Sequence, residues 1–137
     1  MSLFKVFDIA GSGMSAQALR LNTTASNLAN ADSVSSSTKE TYRARHPVFS
    51  AMVKALGESP EGVGVKVKGI VESQEPLRKQ YQPGHPMADD EGFIYMPNVN
   101  QIEEMANMIS ASRSYQSNAE VVKTSKQLLL RTLSLGE

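Results

Sequence analysis

Apolar positions along the chain form two long helical registers at its ends and an alternating register between them. Over residues 3 to 30, Phe7, Met14, Leu21 and Leu28 recur every seven residues, interleaved with Phe4, Gly11, Ala18 and Ala25. Alternating steps of three and four are the seam of a heptad helix. Large side chains hold one seam position and small ones the other, so a partner backbone can come close on the small side. Residues 98 to 135 give the second helix. Ile102, Met105, Ile109, Tyr115, Ala119, Val122, Leu129 and Leu133 follow one slowly drifting stripe, with Met108 and Leu130 beside it. Pro97 stops the preceding segment, and Gly136 closes the helix. Asn100 and Glu103 have the spacing of an N-terminal capping pair, with Asn98 as the alternative cap. At ~1.5 Å per residue the second helix is a rod of roughly 50 Å, longer than a small globule can cover.

The polar positions sharpen this picture. Between Ile9 and Ala31 the only charge is Arg20, and between Met105 and Ala119 it is Arg113. A solvated helix normally carries Lys and Glu on its outer face. Uncharged Ser, Thr, Asn and Gln can be buried at modest cost when hydrogen-bonded, whereas buried charges cost far more. Both helices are therefore expected to be contacted on several sides. Arg113 and Tyr115 are of the residue types that anchor interfaces. Asn27 and Asn30 serve either such contacts or local backbone capping at the end of the first helix. The Ser, Thr, Asn and Gly content lowers helix propensity by roughly 0.5–1 kcal/mol per residue relative to Ala, so the first helix alone should fray.

Between the helices the register changes. Val63, Val65, Val67 and Val71 alternate with Lys66, Lys68 and Ile70, which predicts a half-exposed strand with a bulge at Gly69. Tyr42 to Phe49, Leu77 to Gln82 and Gly92 to Met96 are further strands. Residues 33 to 41 (SVSSSTKET) read as a polar loop, 55 to 64 as a Gly/Pro loop, and Pro83-Gly84-His85-Pro86 as a turn. The fold class is α+β. Residues 1–32 and 98–137 form an antiparallel, coiled-coil-like helical unit, with its helices packed along their apolar seams. Residues 33–97 form a small β-rich insertion.

Composition narrows the function. The 137 residues suit one domain, 40% are apolar, 6% are aromatic and none is Trp, which makes a poorly filled core. Such a monomer should gain stability from neighbours. Fourteen basic residues balance fourteen acidic ones, giving no footprint for nucleic acid or an anionic membrane. Without Cys there is no disulfide scaffold, thiolate metal site or thiol nucleophile. Asp8 interrupts the opening apolar run, unlike a secretory signal. His85 with Asp89, Asp90 and Glu91 is the one combination resembling a metal set, and turn chemistry beside a solvated acidic corner explains it better. No catalytic residue, metal or cofactor is expected. Lys66 and Lys68 suit an edge strand guarded against further pairing.

Several stretches carry a family resemblance. The heptad helix running into SNLANADS (Ser26 to Ser33) resembles the bacterial flagellar axial proteins, whose N-terminal helix ends in Asn-Leu-Ala-Asn. YQPGHPMAD (Tyr81 to Asp89), GFIYMPNVN (Gly92 to Asn100) and EMANMISASRSYQSN (Glu104 to Asn118) are similar to a proximal-rod member of that family. The resemblance implies a subunit of a helical tube that spans the periplasm, transmits torque and encloses an export channel. It further implies export by the flagellar type III apparatus without a cleaved signal. Copies of the chain, other rod subunits, the hook–basal-body protein at the rod base and the surrounding rings become the expected partners. The assembly contacts are then expected at Phe4, Phe7, Met14, Leu21, Asn27, Leu28 and Asn30 on the first helix. On the second they are Ile102, Met105, Ile109, Arg113, Tyr115, Val122, Leu129 and Leu133. A closed coiled-coil oligomer and a small enzyme built on His85 are the rival readings.

Overall fold

The computed structural model describes residues 3–52 and 63–134. Helix α1 (Leu3–Ala29) and helix α2 (Gln101–Ser134) enclose, in sequence, strands β1 (Arg45–Ala51), β2 (Val65–Glu72), β3 (Arg78–Tyr81) and β4 (Phe93–Met96). The α+β expectation holds. Gly136, and the expected loop from residue 55 as far as Gly62, lie outside the described residues.

The helices run antiparallel. Arg20 Nη2 donates to Asn107 Oδ1 at 2.7 Å, and Gln101 Nε2 donates to Asp32 Oδ2 at 2.9 Å. A Cβ on Gly13 would stand 2.8 Å from Asn118 Nδ2, so the glycine is what allows this close approach. Asn30 closes α1 by folding its Nδ2 onto Ser26 O at 2.8 Å. Asn100 opens α2, its Oδ1 accepting from the N–H groups of Ile102 (3.1 Å) and Glu103 (3.3 Å). That settles the N-cap on Asn100 rather than Asn98. Glu103 and Glu104 in the first turn suit the positive end of the helix dipole.

The insertion is two separate two-stranded antiparallel sheets, β1–β2 and β3–β4. In the first, Val48 pairs with Gly69 and Phe49 with Val67, so Lys68 is the extra residue of a bulge beside Gly69, close to its expected place. The β1–β2 hairpin lies along α1. Arg45 sits at the height of Asn27, and Val65 N–H donates to Ser12 Oγ at 3.0 Å near the other end. Helix α1 is therefore held between α2 and the hairpin, which accounts for its scarcity of charge.

Residues 33 to 41 are more ordered than their composition suggests. Ser35 forms a β-bridge with Tyr95, and its buried hydroxyl meets the buried hydroxyl of Thr41. The apolar core is small: Ala10, Ala16, Ala31, Ala44, Ile94, Val99 and Ala111, mostly alanines. Its one cluster, Ala31, Ala44 and Val99 with Tyr42 against it, sits where α1 ends and α2 begins. The chain exposes 9483 Å², where a compact monomer of 14.9 kDa exposes about 7000 Å².

Candidate assembly surface

The structure divides the expected interface residues into two groups. The helices meet through Ala10, Ala16 and Gly13 on α1, and through Asn107, Ala111, Tyr115, Asn118, Val122, Ser125 and Leu129 on α2. Of the expected apolar seams, the part of the α2 stripe from Tyr115 to Leu129 lies in this contact. Phe7, Met14, Leu21 and Leu28 are half-buried at the flank of the contact, while Phe4 is 70% exposed and Ala25 faces outward. The small side of the α1 heptad is not filled by α2. With 27 residues, α1 turns its small seam positions roughly opposite to the face that α2 covers, because 100° per residue separates the two sets.

On α2 the drift of the apolar stripe has a consequence. Its first members, Ile102 (81% exposed), Met105 and Ile109 (56%), point to solvent. Tyr115, Ala119, Val122 and Leu129 have rotated to the half-buried inner side, and Leu133 (68%) is exposed again. Arg113 is exposed and forms no ion pair or side-chain hydrogen bond among the described residues, so it is no anchor between the two helices of one chain. From Met105 to Ser117 the exposed positions of α2 carry one charge, Arg113, beside exposed Met105 and Ile109. Water is a poor neighbour for such a face.

The second group stitches the junction of the two helices. Asn27 is fully buried, and its amide reads the backbone of Arg45 as a neighbouring strand would. Its Nδ2 donates to Arg45 O at 2.9 Å, and its Oδ1 accepts from Arg45 N–H at 2.9 Å and Tyr42 Oη at 2.8 Å. Asn98 plays the same part on the other side, accepting from Ala44 N–H at 2.8 Å and donating to Glu75 O at 2.9 Å. The Arg78 guanidinium then bridges the ends of both helices, donating to Ala31 O at 2.7 Å and Pro97 O at 3.0 Å. Asn27 and Asn30 thus resolve into different roles, a junction residue and a local cap. Sequence reasoning missed Tyr42, Arg78 and Asn98. Asn98, beside Pro97, was legible only as a possible cap.

The acidic corner is built for structure. Asp89 Oδ1 accepts from Phe93 N–H at 2.8 Å and Glu91 N–H at 3.0 Å, and Tyr95 Oη donates to its Oδ2 at 3.2 Å. The Phe93 N–H, foremost, holds the Asp89 carboxyl below its usual range against some desolvation, helped by Tyr95, Glu91 and the Lys79 charge. His85 Nδ1 accepts from Met87 N–H at 3.1 Å. Among the described residues no group of three or more His, Asp and Glu side chains is placed to hold a metal ion. Lys79 Nζ lies 3.9 Å over the Phe93 ring, which meets Tyr81 edge-on at 5.2 Å.

Comparison with known proteins decides the family. The family model for "Flagella basal body rod protein" matches residues 7–35, and that for "Flagellar basal body rod FlgEFG protein C-terminal" matches residues 90–135. Over its full length and theirs, the chain is 51% identical to the flagellar basal-body rod proteins FlgC of Escherichia coli O6:H1 and Salmonella typhimurium. The chain belongs to the FlgC family of flagellar basal-body rod proteins. A FlgC of Buchnera aphidicola from Acyrthosiphon pisum is 45% identical, again over the whole of both chains. The two family models fall on α1 with the Asn27 junction and on β4 with α2. These are the parts that the structure brings together at the helix ends. FlgC proteins are structural components of the rod, and the bare helix faces belong to such a component.

Proposed function

We propose that the chain works by helical polymerisation: neighbouring subunits cover the faces of α1 and α2 left open in the monomer, and the resulting stiff tube transmits torque around an export channel. The observation that carries this is the outward α2 face from Met105 to Ser117, which exposes Met105 and Ile109 and one charge over a length where a free helix would carry several. A contact that joins different patches on successive copies does not close on itself and propagates as a filament. The neighbours are copies of this chain and other rod subunits, with the hook–basal-body protein at the base and the rings outside. The chain acts without catalysis and without a cofactor, sits in the periplasm-spanning rod, and reaches it by type III export. The helix ends remote from the junction then gain their order on assembly, when buried area offsets ordering entropy.

Circular dichroism of dilute monomer tests this, with protease digestion alongside. Helix content well below the 27 and 34 residues of α1 and α2, with cleavage concentrated in the terminal segments, is the expected result. Fully formed, protease-resistant helices in a dilute monomer would sink it. Sedimentation separates the remaining rival, since a closed coiled-coil oligomer gives one discrete small species.

A further inference from the structure

Past the first turn of α1, and between Met105 and Ser117 of α2, each helix carries one exposed charge, and the two are opposite. Past its first turn, α1 is exposed at Asp8, Ser15, Asn22, Ala25 and Ala29, and Asp8 is the single ion among them; exposed Lys5 lies within the first turn. On α2 the bare stretch includes only Arg113. Both are exposed, and neither has an ion-pair partner among the described residues. They cannot meet within one chain. The approach of Asn118 to Gly13 and of Asn107 to Arg20 sets the height of Asp8 level with residues 119–123 of its own α2. Arg113 lies six to ten residues from that level, roughly 9–15 Å along the axis at ~1.5 Å per residue.

We propose that α1 of a second copy of this chain lies on the bare face of α2, in the same antiparallel sense as within the chain, with its Asp8 paired to Arg113. The pairing requires the second copy to be displaced along the helix axis by that roughly 9–15 Å. An unstaggered copy would place Asp8 among residues 119–123, beside the like charge of Glu120, as well as near Lys123. The displaced register also brings Ile109 to the height of α1 between Gly11 and Ser15, where there is room for it; a Cβ on Gly11 would meet nothing within 4 Å. A carboxylate–guanidinium pair surrounded by apolar contact fixes register more than it adds affinity. The stagger makes the contact heterologous, so each copy offers its α2 face to the next. This inference rests on the rod-subunit reading and names one of its contacts.

The test uses the full chain in a flagellated bacterium lacking its own copy, scoring swimming and the subunit's presence in isolated basal bodies. Asp8→Arg and Arg113→Asp should each abolish swimming, and the double exchange should restore it. Failure of the double exchange, with both variants still exported, overturns the pair. Rescue of Asp8→Arg by Lys123→Asp instead overturns the stagger. Because the chain has no cysteine, Asp8→Cys combined with Arg113→Cys and a short bis-maleimide reports the partner directly. A ladder of this subunit in assembled basal bodies is expected. Links only to other rod proteins reject the second copy while leaving the rod role intact. Absence of the wild-type chain from basal bodies would instead reject the rod role itself.

Discussion

Helix α1 beyond Ile9 and the stretch of α2 from Met105 to Ala119 share a scarcity of charge but not its cause. Around α1, the α2 contact fills one side and the β1–β2 hairpin a second, leaving a narrow outward strip of mostly small residues. Around α2 only the α1 side is filled, and Ile102, Met105 and Ile109 stand in solvent. The junction where the helices meet is different again: Asn27, Asn98 and Arg78 have partners for the polar groups they bury. One kind of sequence, poor in charge and rich in Ser, Thr and Asn, thus serves intrachain closure at one place and leaves a bare face at another. The difference separates mutations that unfold the monomer from mutations that leave it folded and alone.

That separation can be broken by experiment. Asn27→Ala should have the largest effect on the monomer, because it strands the N–H and C=O of Arg45 in a buried site; about 2–4 kcal/mol is expected from the urea midpoint. Ala111→Leu, which overpacks the fully buried face toward α1, should cost about 1–3 kcal/mol in thermal unfolding. Asn100→Ala should cost about 1 kcal/mol and speed amide exchange at Ile102 and Glu103 before the rest of α2 responds. A smaller effect belongs to Asp89. Its folded pKa is depressed, so its stabilisation is complete above the ordinary carboxylate value and is lost as pH falls through the folded one. The Phe93 amide resonance should follow that acid loss, and Asp89→Asn should flatten it. Ile109→Lys should change monomer stability least, within about 0.5 kcal/mol, yet abolish swimming. If Ile109→Lys unfolded the monomer as Asn27→Ala does, the two helices would not differ in the way described.

Much of the architecture was legible in the sequence. Heptad spacing located both helices to within a few residues, since a long period averages over local exceptions. Valine alternation located β2, and Gly69 marked the bulge to its neighbour. Which face of each helix goes inward was not legible. Hydrophobicity pointed to Ile102, Met105 and Ile109 as much as to Tyr115, Val122 and Leu129. Within one chain only the latter turn inward, beside Ala10, Ala16, Ala111 and Gly13, where lack of bulk permits approach. A hydrophobic pattern does not say which surface, of its own chain or of another, does the burying. The junction was hidden for a related reason. Arg78 and Asn98 hydrogen-bond backbone carbonyls and amides, and backbone groups carry no sequence code. The ordered path of residues 33 to 41 was missed because serine-rich composition also fits solvated chain, whereas here Ser35 and Thr41 satisfy each other.

The junction lies at one end of the helix pair, and this has a mechanical meaning. The pair is a cantilever, clamped by Asn27, Arg78 and Asn98 at its root, with the tips of both helices reaching away from the clamp. A sideways load at the tip acts through the longest lever arm the molecule possesses, so a solitary subunit bends easily. Bundled beams resist such a load far better when they cannot slip past one another than when they can.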